Sequence, residues 1–165
     1  MSTAIYPGSF DPVTLGHLNI IKRASACFDK LIVCVMVNSK KTGLFTPPER
    51  VELLKRATQR FDNVEVDFSD ELLANYADRR NAHVVVKGLR AVSDFEQEVQ
   101  MAVINKHLNP NLETMFFASS EKYTYLSSTI VKELAHYGTA LEGFLPREII
   151  DDVKQRVKEA EGKDR

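Results

Sequence analysis

Seven consecutive apolar residues at 31–37, LIVCVMV, constrain the fold of this chain more than any other stretch. The run shows no alternation of polar and apolar positions, so a strand made from it has to be covered on both faces. It is far too short to cross a bilayer. A strand of this kind needs a layer of helices on either side, and the flanking sequence supplies them.

Strand and helix patterns alternate along the chain. Ala4 to Tyr6 ends a first strand, and residues 17–28 are helical, with Leu18, Ile21, Ala24 and Phe28 on one face. After the 31–37 strand, TPPERVELLKRATQRF opens with Thr46 and Glu49 at capping-box spacing and Pro47 at the first helical position. VEVDF predicts a third strand, DELLANYADRR a helix, and HVVVKG a fourth strand. SDFEQEVQMAVINKHL places Ser93 and Glu96 at a second capping box, and ETMFFA follows as a fifth strand. A helix over 128–137 should stop at Gly138, a natural residue just past a helix end. The final helix starts near Pro146, with a polar tail from about 158. The pattern predicts one α/β domain over 1–165: a Rossmann-like, doubly wound, five-stranded parallel sheet with helices on both faces.

The formal net charge of −1 and pI of about 6.4 lack the basic excess of a nucleic-acid binder. The chain's start shows no basic segment, apolar run and small-residue cleavage site of a signal peptide, and no stretch suits a membrane span. The two cysteines, Cys27 and Cys34, sit in apolar contexts and form no C-x-x-C. These features predict a cytoplasmic protein. No pair of histidines has metal-ligand spacing, so a dedicated zinc site is not expected, and His83, His107 and His136 read as structural or surface residues.

In a doubly wound sheet, ligands bind beyond the carboxyl ends of the strands, where strand order reverses. Three loops there are chemically rich: PGSFDPVTLGH, KGLRAVSDFE and SSEKYTYLSST; NSKKTGLFT is basic as well. In the first, Gly8 permits unusual backbone angles, Ser9 and nearby amides can bind phosphate, and His17 falls at a helix start that favours anions. Neither G-x-G-x-x-G nor a Walker G-x-x-x-x-G-K-[ST] is present. An isolated S-S-T would most simply cap a helix, and Lys40 and Lys41 alone would be a solvated loop pair.

Thr14-Leu15-Gly16-His17 resembles the H/T-x-G-H signature of the nucleotidyltransferase superfamily. Leu126-Ser127-Ser128-Thr129 resembles its second, serine-rich signature, with leucine for the usual isoleucine. Taken with SKKTGLFT and VKGLRAVSDFEQEVQMAVINKHL, the chain from about Ile5 to Pro146 resembles the phosphopantetheine adenylyltransferase family. That resemblance implies transfer of the adenylyl group of ATP to 4′-phosphopantetheine, giving dephospho-coenzyme A and pyrophosphate. It also implies Mg2+ as cofactor, coenzyme A as feedback ligand, and a homohexamer made of two trimers. By motif, it implies His17, Lys41 and Arg90 as catalytic residues, and Ser9, Lys41, Leu73 and Lys87 as acceptor-binding residues. ATP would be held by Ser9, Phe10, His17, Gly88, Leu89, Arg90, Glu98 and the segment Tyr123, Thr124, Tyr125, Leu126, Ser127, Ser128, Thr129.

The acceptor phosphate has its second pKa near ~6 and is largely a dianion at neutral pH, so it needs no base. It needs alignment and charge stabilisation. No nucleophile–base–orienter set is evident, and direct in-line attack without a covalent intermediate is expected. The two short signatures are shared by small nucleotidyltransferases using other acceptors, such as nicotinate mononucleotide. A non-catalytic nucleotide-binding module on the same fold is the alternative from a different class.

Overall fold

The structure, a computed structural model, describes residues 2–38, 40 and 42–163. Its elements alternate as β1 (Thr3–Gly8), α1 (Leu15–Ser25), β2 (Lys30–Met36), α2 (Pro47–Thr58), β3 (Val64–Ser69), α3 (Leu73–Arg79), β4 (Val84–Leu89), α4 (Val92–Leu108), β5 (Glu113–Ala118), α5 (Ser128–His136) and α6 (Ile150–Lys163). The five strands are parallel, in the order β3-β2-β1-β4-β5. The chain builds outward from β1 to β3, then returns to start again at β4. The reversal therefore falls between β1 and β4, where Ala4 pairs with Val84 and Ile5 with Val85.

The 31–37 run behaves as its composition demands. Leu31, Val33 and Val35 enter one core with Ala4, Tyr6 and residues of α1, α2, α5 and α6. Ile32 and Cys34 enter the other with Ile5, Val85 and Tyr76 and Ala77 of α3. Helix α4 lies along β4 and β5 on the α3 side. Several large apolar residues stand exposed on it, among them Phe95, Val103, Ile104 and Leu108. Among the described residues, no helix is long and apolar enough to cross a membrane.

Helix ends follow local chemistry. The Glu49 carboxylate accepts from the Thr46 amide (2.8 Å) and hydroxyl (2.9 Å), forming the expected box at the start of α2. Gly138 follows α5 with φ 70°. The box expected at Ser93 is not what starts α4. That helix begins at Val92 with Ala91 in the cap position, and the Asp94 carboxylate reaches back to the Arg90 amide (3.3 Å) and its Nε (3.2 Å). Asp94 thus satisfies both a backbone donor and a guanidinium at the helix start. A short 3-10 turn at Arg147–Ile149 precedes α6, and the polar stretch from about 158 stays helical through Lys163.

Candidate active site

The site grows from the end of β1, the strand beside the reversal. A Cβ on Gly8 would stand 3.0 Å from the Phe10 ring, so only glycine lets that ring fold back beneath the strand end. Phe10 itself takes φ 47°, an unusual value for a bulky residue, and its ring is buried. Tyr6 packs edge-on against Phe10 at 5.3 Å between centroids, and Phe10 against His17 at 5.0 Å.

Thr14 caps α1, and His17 is the third residue of that helix. The Thr14 hydroxyl accepts from the His17 amide (3.3 Å), and the Thr14 amide donates to His17 Nδ1 (3.0 Å). His17 is thus both a capping residue and a site residue. Burial among the aromatic rings, followed by the charges of Arg90 and Lys87, pushes the imidazole pKa down to about 4. The ring is therefore neutral near pH 7. Because Nδ1 accepts the Thr14 amide hydrogen, the proton of the neutral ring lies on Nε2, leaving one N–H donor to offer.

Arg90 follows β4 and crosses to the serine-rich loop, donating from Nη1 to the Leu126 carbonyl (2.9 Å). Ser127 caps α5, its hydroxyl accepting from the Ile130 amide (3.2 Å), while the Ser128 hydroxyl donates to the Pro12 carbonyl (2.7 Å). Lys87 pairs with Glu98 at 3.2 Å.

These groups surround a cleft of about 360 Å³ lined by Tyr6, Ser9, Phe10, His17, Gly88, Arg90, Glu98, Tyr123, Leu126, Ser127 and Ser128. A second cleft of about 450 Å³, more apolar, is lined by Met36, Leu72, Leu73, Val85, Met101, Ala102 and Asn105. Pro7, Gly8, Ser9, Lys87 and Glu98 line both, so the clefts meet at the end of β1. The polar half suits phosphates and a nucleotide, and the apolar half suits an uncharged, elongated chain.

A cytidylyltransferase-like family profile matches residues 5–134. A phosphopantetheine adenylyltransferase from Caldanaerobacter subterraneus subsp. tengcongensis is 53% identical over 160 residues, covering 97% of this chain and 100% of the relative. Its counterpart from Clostridium botulinum strain Hall is 52% identical over 157 residues, covering 95% and 96%. The chain belongs to the phosphopantetheine adenylyltransferase family. A crystal structure from Vibrio parahaemolyticus, of a protein assigned as a nicotinate-nucleotide adenylyltransferase, superposes with a TM-score of 0.70 over 94% of this chain and 96% of its own. At 17% identity that likeness speaks for the fold alone.

Of the residues that the phosphopantetheine adenylyltransferase motifs single out, Ser9, Phe10, His17, Gly88, Arg90, Glu98, Tyr123, Leu126, Ser127 and Ser128 converge on the polar cleft, and Leu73 and Lys87 on the apolar one. Leu89, Thr124, Tyr125 and Thr129 do not line either cleft. Thr124 donates its hydroxyl to the Glu121 carbonyl (3.0 Å), and Tyr125 is exposed, with its ring beside Phe144. Lys41 lies outside the described residues. Sequence reasoning passes over Tyr6, Met101 and Asn105, which read as ordinary strand and helix residues. It also gives no role to Asp11 and Arg50, both buried. The one hint for Asp11 is its place inside the dense opening turn.

Proposed function

We propose that the protein transfers the adenylyl group of ATP to 4′-phosphopantetheine, releasing pyrophosphate and forming dephospho-coenzyme A. The observation that carries this reading is the meeting of a polar and an apolar cleft at Ser9, Lys87 and Glu98, in a chain of this family. The nucleotide takes the polar cleft, with Gly88, Arg90, Glu98 and the loop from Tyr123 to Thr129 around it. The pantetheine arm takes the apolar cleft past Leu73. The two reacting phosphates meet where the clefts join.

The acceptor phosphate attacks the α-phosphorus in line, without a covalent intermediate. Ser9, Lys41 and Lys87 hold that phosphate; Arg90 and the α5 start hold the triphosphate. His17, neutral and protonated on Nε2, donates to the α-phosphate as charge builds there. It needs to take no proton, because the attacking group is already ionised. Mg2+ arrives with ATP. The polar cleft offers one carboxylate among its described lining residues, Glu98, itself engaged with Lys87, which suits a cation carried chiefly on phosphate oxygens.

Coenzyme A contains both halves of the product and would compete for the joined clefts as a feedback ligand. A homohexamer of two trimers in the cytoplasm completes the reading. The large apolar residues exposed on α4, Phe95, Val103, Ile104 and Leu108, support self-association, because burying them between subunits would remove apolar surface from water. The test is pyrophosphate release with MgATP and a panel of acceptors. Turnover is expected with 4′-phosphopantetheine; release only with nicotinate mononucleotide or another acceptor overturns the substrate, and release with none overturns catalysis.

A further inference from the structure

Asp11 is a buried carboxylate with more partners than a structural ion pair requires. Its two oxygens accept from consecutive backbone amides of another loop, Leu44 N–H (2.8 Å) and Phe45 N–H (2.9 Å). Arg50 Nε lies 3.3 Å from one oxygen and Lys132 Nζ 3.6 Å from the other. Arg50 extends the connection in two directions. Its Nε donates to the Phe45 carbonyl (2.8 Å) and its Nη1 to the Ser9 carbonyl (3.4 Å). The loop backbone passes directly over the pair. A Cβ on Gly43 would stand 1.9 Å from Arg50 Nη2 and 2.8 Å from Asp11 Oδ2, so glycine is what allows this approach.

The wiring has a functional direction. Ser9 and Phe10, which line the polar cleft, immediately precede Asp11. The loop it grips, residues 42–46, follows the basic pair Lys40–Lys41. A carboxylate that holds two amides and a guanidinium fixes the separation of these two segments to within a hydrogen-bond length. Nothing of this kind is needed to hold α2 on the sheet, since Leu53, Leu54 and Ala57 already bury its inner face.

We propose that Asp11 and Arg50 are positioning residues for acceptor binding: together with Gly43 they pin the 42–46 loop against the Ser9 turn and so set where the basic loop meets the acceptor phosphate. The proposal rests on the adenylyl-transfer reading above. The pair touches no substrate; it acts through the loop and through Ser9.

Two variants test it by different means. Asp11→Asn keeps the shape but cannot accept both amides, since its NH₂ faces one of them. Gly43→Ala leaves the carboxylate intact and lifts an exposed loop by steric contact alone, so the fold survives if Asp11→Asn proves unstable. Steady-state kinetics with MgATP and 4′-phosphopantetheine should show an acceptor KM raised roughly tenfold or more, as small misplacements of a binding group can cost up to about 10²-fold. The KM for ATP should rise severalfold less than that for the acceptor, because the Ser9 turn lines the cleft for both substrates, whereas the 42–46 loop and the basic pair before it serve the acceptor alone. Asp11→Glu, which restores charge, should recover part of the acceptor KM. Arg56→Ala, on the same helix but facing α6, serves as a stability control and should leave both KM values alone.

Equal rises in the two KM values, or no rise in folded Gly43→Ala, would overturn the proposal. So would an Arg56→Ala effect matching that of Gly43→Ala. Failure of the wild-type protein to turn over 4′-phosphopantetheine at all is a separate result, and it refutes the functional reading instead.

Discussion

Two clefts of comparable size carry clusters of charged side chains, and they are built on opposite principles. Between α2 and α6, a cleft of about 260 Å³ is lined by Glu49, Glu52, Arg56, Asp152, Arg156 and Glu159. Both of its arginines are engaged by carboxylates. Arg56 forks onto Asp152 (3.0 and 2.8 Å) and also donates to the Glu148 carbonyl. Arg156 forks onto Glu49 (3.0 and 2.5 Å), and this hydrogen bonding, with help from the Thr46 amide, pushes the Glu49 pKa down to about 2. The larger cleft beyond β1 and β4 has a different balance. Lys87 and Arg90 each meet a single carboxylate, at 3.2 Å, Arg90 also donating to the Leu126 carbonyl, and a neutral imidazole stands beside them. One cleft has spent its charge on itself; the other holds donors in reserve. A cluster of charged residues in a cavity is therefore not evidence of a site. Unspent donors at the carboxyl edge of the sheet, at its reversal, are.

The largest expected effect falls on His17. If the imidazole is a preorganised donor, His17→Ala should lower the single-turnover rate by about 10²–10³-fold while ATP binding weakens much less. His17→Asn and His17→Gln retain an N–H donor without a base and should recover part of the loss. Wild-type single-turnover rates in His17→Ala would remove the residue from the chemistry and erase the contrast between the clefts.

That contrast was only partly legible in the sequence. The sheet could be read because each strand is a short apolar run and each helix carries a periodic face, both local properties. The 31–37 run even announced burial on two sides. Phe10, His17 and the Ser127–Ser128 pair were legible as motif positions. How His17 is held was not. The Thr14 amide fixes its tautomer, and the Phe10 ring reaches it only because Gly8 has no Cβ. Asp11 and Arg50 were invisible for a related reason: the Asp11 amide partners lie over thirty residues away, on a loop whose own sequence reads as basic and glycine-containing, and Arg50 reaches back from α2 to the Ser9 carbonyl. The start of α4 is not legible locally because Ser93 fits a cap by spacing, whereas Asp94 serves the Arg90 guanidinium, which is held from the far side by the Leu126 carbonyl of the serine-rich loop.

A smaller effect is expected in the matched cleft. Arg56→Ala removes a half-exposed fork and should cost about 1 kcal/mol, near the upper end for surface pairs. In a chain of this size that corresponds to a fall in Tm of about 2–4 °C. Turnover with saturating substrates should be unchanged. The measurement is thermal unfolding at one fixed protein concentration, since assembly would make Tm concentration-dependent. A loss of activity without loss of stability would mean that the α2–α6 cleft is coupled to catalysis and is not the inert counterpart described above.

The subtlest difference between the clefts is the pH at which each weakens. His17 has a folded pKa of about 4 against an ordinary value of 6.5. Between those values the unfolded chain binds a proton that the native protein refuses, so stability falls as pH drops from 6.5 towards 4 and this contribution then levels off. Glu49 is displaced in the same direction but from a lower start, about 2 against 4.5. Its pairing stabilises the native state in full above 4.5 and is lost as pH falls towards 2, a window it shares with Asp152, which Arg56 holds below the usual carboxylate range. The two clefts should therefore fail in sequence on acidification, the site first. Glu49 is over a third exposed, so solvent screens its share and its own shift in Tm is smaller than that of Arg56→Ala. Melting curves from pH 7 to 3 separate the contributions. His17→Asn should flatten the limb between 6.5 and 4 and leave the lower limb intact. Glu49→Gln, which keeps a side-chain acceptor for the Thr46 cap, should lessen only the lower limb. A His17→Asn profile running parallel to wild type down to pH 4 would mean that the imidazole titrates freely, and with it would go both the neutral donor and the contrast between a cleft held in reserve and a cleft already spent.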